Sequence, residues 1–412
     1  MGKISTRQRG DTWSYSYELA TVSGKRKRKE VGGFATEQDA YNAGVKDMAI
    51  YNDGVEIAVK KKSISVADYL DYWYENHVKV NMRYNTCYNY EKVIRLHIKP
   101  ELGHYKLQKL TPMIIQNWIN KKAQDGYMRS SLDDMKKVLS GALKYAVHPA
   151  QLLPYNPAAG VILPNVDEKT VNPDEKVLSE EDMQKLITRF PPGSPYYIMI
   201  MLGYYTGMRI GEVLGLTWDC VDLDNQTITV EKTMTRLYGQ KGQICFGAPK
   251  TKDSERVISF GSTLAAALRK HKIMQAENEL KYGGYYRYAY MREEKQGNKI
   301  FLHVFSTEKS APVLAKKMDM VCTQQNGEFV KPSAFTSVTK IARIELGINF
   351  SFHSFRHTHA TVLIENGASI KEVQRRLGHS SIETTMDTYS HATQKMASEA
   401  VDIFESAAKG VS

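Results

Sequence analysis

The hydrophobic pattern of this 412-residue chain changes twice along its length, and no other feature constrains the fold as strongly. Residues 1–62 carry short alternating runs, which are typical of strands. Residues 63–165 carry apolar side chains at helical spacing, and residues 178–405 mix both patterns. We therefore predict a multidomain α+β protein, with a small N-terminal β-sheet plus one helix, a helical bundle, and a mixed, mainly helical C-terminal domain.

A proline-containing stretch separates the second segment from the third. Residues 157–177 contain three prolines and few large apolar residues after Leu163, so we interpret residues 166–177 as an interdomain linker. A helix is expected to begin after Ser179, because Asp182 follows three residues later as in a capping box. Residues 406–412 are interpreted as a short tail.

The N-terminal segment predicts a strand followed by a basic turn. Trp13, Tyr15 and Tyr17 share one face of the strand. The turn contains five consecutive cationic residues, Lys25, Arg26, Lys27, Arg28 and Lys29. An aromatic ribbon with a basic turn suits a DNA groove. The alternative is a charged hairpin that contacts only water.

Apolar stripes and helix caps predict the helices of the first two segments. Thr36, Ser65 and Thr111 are the expected N-caps. The stripes are Tyr41, Val45 and Met48; Val66, Leu70 and Trp73; Ile115, Trp118 and Ile119; and Leu132, Met135, Leu139, Leu143 and Ala146. The last three stripes predict a bundle of four or five helices.

The composition excludes several classes of protein. Apolar residues make up 42% and charged residues 25%, which is the balance of a soluble globular chain. The formal net charge of +11 favours a polyanionic partner. The four cysteines are far apart and the N-terminus lacks an apolar signal core, so we expect reduced thiols and a cytoplasmic location. Phosphate-binding-loop and metalloprotease motifs are missing, so we expect chemistry that uses neither nucleotide nor metal, and no cofactor.

Candidate catalytic side chains are concentrated in the last quarter of the chain. His353 and Arg356 are three residues apart, which places both on one helix face. His379 follows Gly378 in a turn, and Tyr389 comes ten residues later. Each motif alone is common, and most tyrosines and HxxR pairs are structural.

Two upstream motifs add further candidates. TGMRIGE contains Arg209 with Glu212 three residues on, and PKTKDSER places Lys250 and Lys252 beside a turn. Two guanidinium groups and two imidazoles can surround one phosphate, a tyrosine hydroxyl can attack phosphorus, and a lysine can protonate the leaving oxygen. The competing interpretation is a metal cluster of His353, His357 and His359, but no acidic ligand lies near them in sequence.

The motifs TGMRIGE, PKTKDSER, HSFRHTHAT and LGHSSIETTMDTYSH together resemble the signature of the tyrosine recombinases, and the resemblance is strongest to phage and conjugative-transposon integrases. NTCYNYEKVIRLHIKPELGHYKLQKLTPMIIQ resembles the helical core-DNA-binding domain of that family, and GKRKRKEVGGFATEQDAYNA resembles its N-terminal arm-DNA-binding domain. The resemblance implies an arm-binding domain over 1–62, a core-binding domain over 63–165 and a catalytic domain over 178–405. The tyrosine-rich residues 282–290 are interpreted as an exposed insertion of open role.

The resemblance implies six catalytic residues, which are Arg209, Lys250, His353, Arg356, His379 and Tyr389. The arginines clamp the phosphate, the histidines bind it or transfer protons, and the tyrosine is the nucleophile. The lysine is the general acid, with Lys252 as the alternative to Lys250. Glu212 matches a supporting acidic position.

The implied function is that of an integrase, a site-specific recombinase that cuts and rejoins double-stranded DNA through a 3′-phosphotyrosine and moves a mobile element. Dimers to tetramers are expected on DNA through the C-terminal helix, although that helix can instead pack on its own domain. Excision or DNA-bending factors are candidate partners, and a membrane is not. The rival functions are a non-cleaving DNA-binding regulator and a type IB-like topoisomerase.

Overall fold

A computed structural model describes residues 4–18, 28–53, 64–165, 177–239, 243–247, 255–296 and 299–378. The chain divides into two compact units, Met1–Glu168 and Lys169–Ser412. Within the described ranges, no helix has the length and apolar character that crossing a membrane requires. Most of the predicted linker and the whole predicted tail lie outside these ranges, so both boundaries stay predictions.

The first unit begins with an antiparallel sheet in the order β1-β2-β3. Its strands are β1 Ser5–Arg9, β2 Thr12–Glu18 and β3 Arg28–Phe34. The helix α1, Glu37–Asp53, follows the sheet. Tyr15 and Tyr17 are buried, as the alternation predicts, and both donate hydrogen bonds to the carboxylate of Asp47 on α1.

The predicted apolar stripe of α1 is wrong. Tyr41 and Val45 are exposed, whereas Ala40 is fully buried. Gly44 also faces the sheet, and a Cβ there would lie 2.9 Å from the Tyr15 ring. Small residues therefore decide which face of α1 approaches the sheet, because the larger side chains would hold helix and sheet apart.

The rest of the first unit is helical, as predicted. Its helices are α2 Val66–Trp73, α3 Lys79–Asn81, α4 Tyr84–Val93, α5 Lys99–Leu102, α6 Pro112–Gln124 and α7 Arg129–Val147. π-helical turns, Tyr74–Val78 and Ile94–Ile98, join α2 to α3 and α4 to α5. The three stripes predicted for this segment are buried, and Ser65 and Thr111 cap α2 and α6.

The second unit packs helices around two antiparallel sheets, ordered β11-β9-β10-β7-β6 and β4-β5-β8. The strands are β4 Val221–Asp222, β5 Thr227–Val230, β6 Thr233–Arg236, β7 Ile244–Gly247, β8 Arg256–Ser259, β9 Arg287–Gln296, β10 Lys299–Glu308 and β11 Lys316–Met318. The helices are α8 Glu180–Arg189, α9 Tyr197–Thr206, α10 Ile210–Leu214, α11 Ser262–Tyr282, α12 Ala334–Glu345, α13 Phe352–Glu365 and α14 Ile370–Leu377. The capping box predicted at Ser179 is present.

The tyrosine-rich stretch is not an exposed insertion along its whole length. Tyr285 is exposed, but Tyr286 is buried, and Tyr288 lies on β9 with the Lys317 ammonium over its ring. Because β9 pairs with β10 over ten residues, this part of the stretch belongs to the larger sheet.

Candidate active site

The apolar sequence over Tyr196–Leu216 predicts one buried helix. The structure interrupts that helix, and the interruption places the first candidate arginine. α9 ends at Gly207, which adopts a left-handed backbone with φ of 65°. Arg209 is then the extended N-cap residue of α10, and Glu212 occupies the third helical position. A Cβ on Gly207 would lie 2.8 Å from Leu377 Cδ2, so both the backbone and the packing require glycine here.

Glu212 is a buried carboxylate that pairs with two arginines. Arg209 Nη1 donates to Glu212 Oε1 over 2.9 Å, and Arg256 Nη2 on β8 donates to Oε2 over 2.9 Å. The Arg209 backbone N–H adds a further hydrogen bond of 2.9 Å. Burial alone would raise the pKa of the Glu212 carboxyl, but the bonds from Arg256 and Arg209 outweigh burial and lower that pKa. The supporting role predicted for Glu212 has a physical basis in this geometry.

The C-terminus of α14 brings three arginines together through its backbone. Arg256 Nε donates to the carbonyl of residue 376 over 2.7 Å, Arg356 Nη2 donates to the carbonyl of 377 over 2.7 Å, and Arg209 Nη2 donates to the carbonyl of 378 over 3.2 Å. We call these carbonyls of residues 376–378 the three-carbonyl turn. The end of a helix leaves carbonyls without intrahelical partners and carries partial negative charge, so cations are favoured there.

Arg356 also connects the ends of two helices. It lies on α13 and is 1% exposed. While Nη2 holds Leu377 at the end of α14, Nη1 donates to the carbonyl of Gly207 at the end of α9 over 3.0 Å. Each terminal guanidinium nitrogen carries two hydrogens, so each can donate to more than one acceptor.

His353 lies one turn before Arg356 on the same helix, as its spacing predicts. Its imidazole is exposed in the first turn of α13, and its ring centroid lies 5.0 Å from that of His357. The N-terminal turn of a helix favours bound anions, so this position suits a histidine that contacts a phosphate.

Four of the remaining candidates, Lys250, Lys252, His379 and Tyr389, lie outside the described residues. Position 379 follows directly on the three-carbonyl turn in the chain. Their assignments therefore stay predictions.

Part of the basic turn lies outside the described residues as well, namely Lys25, Arg26 and Lys27. Arg28 donates to the Ser5 hydroxyl over 3.3 Å, and Lys29 forms an ion pair of 2.8 Å with Asp47. Lys29 therefore also helps to fix α1 to the sheet. Its DNA-binding role stays a prediction.

Sequence reasoning missed Arg256 and Arg376, and it considered His359 only as a metal ligand. Arg256 is part of PKTKDSER, but that motif drew attention to its lysines. His359 lies one turn after Arg356, and its ring bonds the Tyr204 carbonyl through Nδ1 over 2.9 Å and Arg376 Nε through Nε2 over 2.8 Å. Both ring nitrogens are thus engaged within the protein, so His359 is unavailable to the metal cluster weighed above.

His359 is neutral in this arrangement. A guanidinium has no acceptor, so Nε2 accepts from Arg376, and we assign the ring proton to Nδ1, which donates to Tyr204. Burial lowers the pKa of the His359 imidazole to about 4, with further contributions from the charges of Arg376 and Arg356.

Acid should destabilise the wild-type C-terminal unit more than a His359→Gln variant. The unfolded histidine keeps its ordinary pKa of 6.5, so between that value and about 4 the unfolded chain binds more protons than the folded chain. The stability that the neutral His359 contributes is therefore fully present above the unfolded pKa of 6.5, and it is lost as the pH falls towards the folded pKa of about 4. Between about pH 7.5 and about pH 5 the wild type should lose about 2 kcal/mol more than the variant. Pulse proteolysis in urea measures both losses, and equal losses would contradict the expectation.

Comparison with known proteins places this geometry in a family. The chain matches the Phage integrase family over residues 176–396, the N-terminal SAM-like domain of phage integrases over 65–123, and an Arm DNA-binding domain over 5–44. A "Tyrosine recombinase XerC-like" protein of Caldanaerobacter subterraneus subsp. tengcongensis is 27% identical, covering 85% of this chain and 86% of its own. The ICEBs1 integrase of Bacillus subtilis is 26% identical, covering 84% of each chain.

Solved structures have the same fold. The Tn1549 transposon integrase, in complex with a circular intermediate DNA, superposes with a TM-score of 0.64 at 20% identity over 83% of this chain and all of its own. A lambda integrase dimer bound to a COC′ core site gives 0.52 at 16% identity over 94% of each chain. The predicted family and fold class are thereby confirmed. Since the first match spans more than half of the sequence, the chain belongs to the phage integrase family of tyrosine recombinases, enzymes that cut and rejoin DNA.

Proposed function

We propose that this protein is the site-specific recombinase of a mobile element, and that Tyr389 is its nucleophile. One observation carries the proposal: Arg209 and Arg356, which are 147 positions apart in sequence, bond to the carbonyls of consecutive residues, 378 and 377. Guanidinium groups present planar, paired donors that match phosphate oxygens, and two of them meet at this turn. His353 on the helix of Arg356 adds an imidazole.

The reaction proceeds by two phosphoryl transfers. As His353 or His379 accepts the phenol proton, the Tyr389 oxygen attacks the scissile phosphorus and the bond to the 5′ oxygen breaks, leaving a 3′-phosphotyrosine and a 5′ hydroxyl. Lys250, or Lys252, supplies the proton of that hydroxyl. The 5′ hydroxyl of a partner strand then attacks the phosphotyrosine and releases the phenol. Charge that develops on the nonbridging oxygens is stabilised by Arg209 and Arg356.

The substrate is double-stranded DNA, held at two kinds of site. The match of residues 5–44 to an Arm DNA-binding domain supports arm-site binding by the N-terminal sheet and its basic turn, Lys25 to Lys29. The match of residues 65–123 supports core-site binding by the helical segment. Tethering the two modes raises the effective concentration of each. We place the domain boundaries at residues 62, 165 and 178. We expect the protein to act in the cytoplasm.

Assembly on DNA is proposed to reach a tetramer through the C-terminal helix, with excision or DNA-bending factors as additional partners. Structural neighbours include a lambda integrase dimer on a core site and a lambda integrase tetramer bound to a Holliday junction. The non-cleaving regulator is disfavoured because the sequence retains Tyr389, Arg209 and Arg356.

A nicked suicide substrate tests the function. DNA from the joined ends of the element is nicked just 3′ of the scissile phosphate, so that the short fragment bearing the 5′ hydroxyl diffuses away after cleavage. The full chain should become covalently joined to the DNA, and peptide mass spectrometry should find the nucleotide on Tyr389. An adduct on another residue would reject the nucleophile, and no adduct would reject the function. Relaxation of a plasmid without element ends would favour the topoisomerase.

A further inference from the structure

A second link joins the ends of α9 and α14, beside the one that Arg356 provides. His359 contacts the Tyr204 carbonyl, and Arg376 Nη2 donates to the Tyr205 carbonyl over 3.2 Å. Both carbonyls belong to the last turn of α9. Because Arg376 Nε also donates to His359 over 2.8 Å, the two side chains form one continuous bridge from α14 to α9. We call this pair the His359–Arg376 bridge.

The bridge is partly buried and lies where three helices pack closely. A Cβ on Gly207 would lie 2.9 Å from His359 Cδ2 and 2.8 Å from Leu377 Cδ2, so α9, α13 and α14 meet without spare space. The neutral His359 accepts from the Arg376 guanidinium, which also donates to Tyr205. Removing either partner therefore leaves a partly buried polar group without the hydrogen bond that links the two helix ends.

The bridge controls groups on both sides of the predicted phosphate site. On the α9 side, the bonded carbonyls precede Arg209 by four and five residues. On the α14 side, the backbone carbonyl of Arg376 accepts from Arg256, which holds Glu212 and through it Arg209. Arg376 therefore anchors α9 with its side chain and Arg256 with its backbone.

We propose that His359 and Arg376 are positioning residues for DNA cleavage, which fix the three-carbonyl turn against the end of α9 so that Arg209 and Arg356 keep the spacing that one phosphate requires. The inference rests on the proposed function. Neither side chain needs to touch DNA, so the effect should fall on the chemical step rather than on affinity.

The test compares Arg376→Met with Arg375→Met in the full chain. Arg375 is adjacent and exposed, and it pairs with Glu372 on the surface, so its variant removes the same charge without the bridge. Adduct formation on the suicide substrate is followed at saturating protein, at a temperature where all variants are folded. Arg376→Met should lower the cleavage rate constant about 100-fold, with a DNA dissociation constant within about threefold of wild type. Arg375→Met should stay within about twofold.

Substitution of His359 separates positioning from simple packing. Glutamine keeps one donor and one acceptor, whereas phenylalanine keeps the ring volume and loses both. His359→Gln should therefore cleave about tenfold faster than His359→Phe. Equal rates for the two variants would mean that the ring acts by packing only, and the proposal would be wrong.

Other results of the Arg376 experiments would also support or overturn the proposal. An Arg376→Met rate constant within about threefold of wild type would overturn the proposal, as would a loss confined to DNA affinity. If Arg376→Met does not fold, Arg376→Lys replaces it. Lysine keeps the charge but cannot donate to His359 and Tyr205 in the fork geometry, so a loss of about tenfold is expected and a wild-type rate would contradict the bridge. Failure of the wild type itself to form an adduct would refute the proposed function instead.

Discussion

Arg356→Met should lower the rate constant of adduct formation by about 10²- to 10³-fold at saturating DNA. Methionine has a similar length but no donor, so in the proposed mechanism the scissile phosphate loses one of two guanidinium groups. The carbonyls of Gly207 and Leu377 lose their donors as well. Arg356 is only 1% exposed, so its removal leaves these carbonyls buried without a donor. The variant should therefore also lose about 2–4 kcal/mol of stability. Single-turnover cleavage and urea unfolding measure the two effects.

Arg343→Met is the matched control for this substitution. Arg343 is an exposed residue in the last turn of α12, so its variant removes one positive charge without disturbing either helix end. It should cleave and unfold like wild type. An Arg356→Met protein that cleaves within tenfold of the control would show that the guanidinium does not act on the phosphate.

Glu212→Gln should have the second-largest effect, and it should reach the active site through two arginines. The amide has nearly the same shape but no charge, so Arg209 and Arg256 lose their shared counter-ion at a site where Glu212 is 3% exposed. Removing one partner of a buried ion pair costs about 3–5 kcal/mol. Arg209 is also freed from its orientation, so cleavage should fall about 10²-fold. Urea unfolding and suicide-substrate cleavage report the two losses.

Glu372→Gln provides the comparison for Glu212. Glu372 pairs with Arg375 on the surface, where both side chains are mostly exposed, so its neutralisation should change stability by less than about 1 kcal/mol. The wild-type contribution of Glu212 should also be present at neutral pH and be lost only in acid, because its pKa is lowered from 4.5 on folding. A Glu212→Gln protein as stable and active as Glu372→Gln would contradict the role assigned to the buried carboxylate.

Local signals in the sequence predicted much of the fold. Ser65, Ser179 and the stripe on α7 succeeded because a cap or an apolar face depends on residues a few positions apart. The stripe on α1 failed because the approach of helix to sheet is decided by the absence of a side chain at Gly44. The helix over 196–216 failed for a similar reason, since Gly207 lies inside an otherwise apolar run and ends α9 there.

The sequence predicted which residues form the site, but not which partners those residues bond to. Arg209, Glu212, His353 and Arg356 were found because short motifs contain them. The partners of these residues lie far away in sequence: Arg256 reaches Glu212 across 44 positions, and Arg356 reaches Gly207 across 149. Every residue has a backbone carbonyl, so the type of the accepting residue does not reveal that a side chain bonds to it. Such links become visible only in three dimensions.

The three-carbonyl turn has a consequence for how this sequence can vary over evolutionary time. Because the arginines bind main-chain oxygens, the identities of residues 376–378 are constrained by those bonds only through backbone conformation, which Gly378 satisfies with φ of 66°. The length of α14 is a different matter. Deleting a single residue from it would turn its end by about 100° and withdraw all three oxygens from their arginines at once. Apart from Arg376 and the buried Val373 and Leu377, this helix should therefore tolerate exchanges of side chain, but no insertion or deletion.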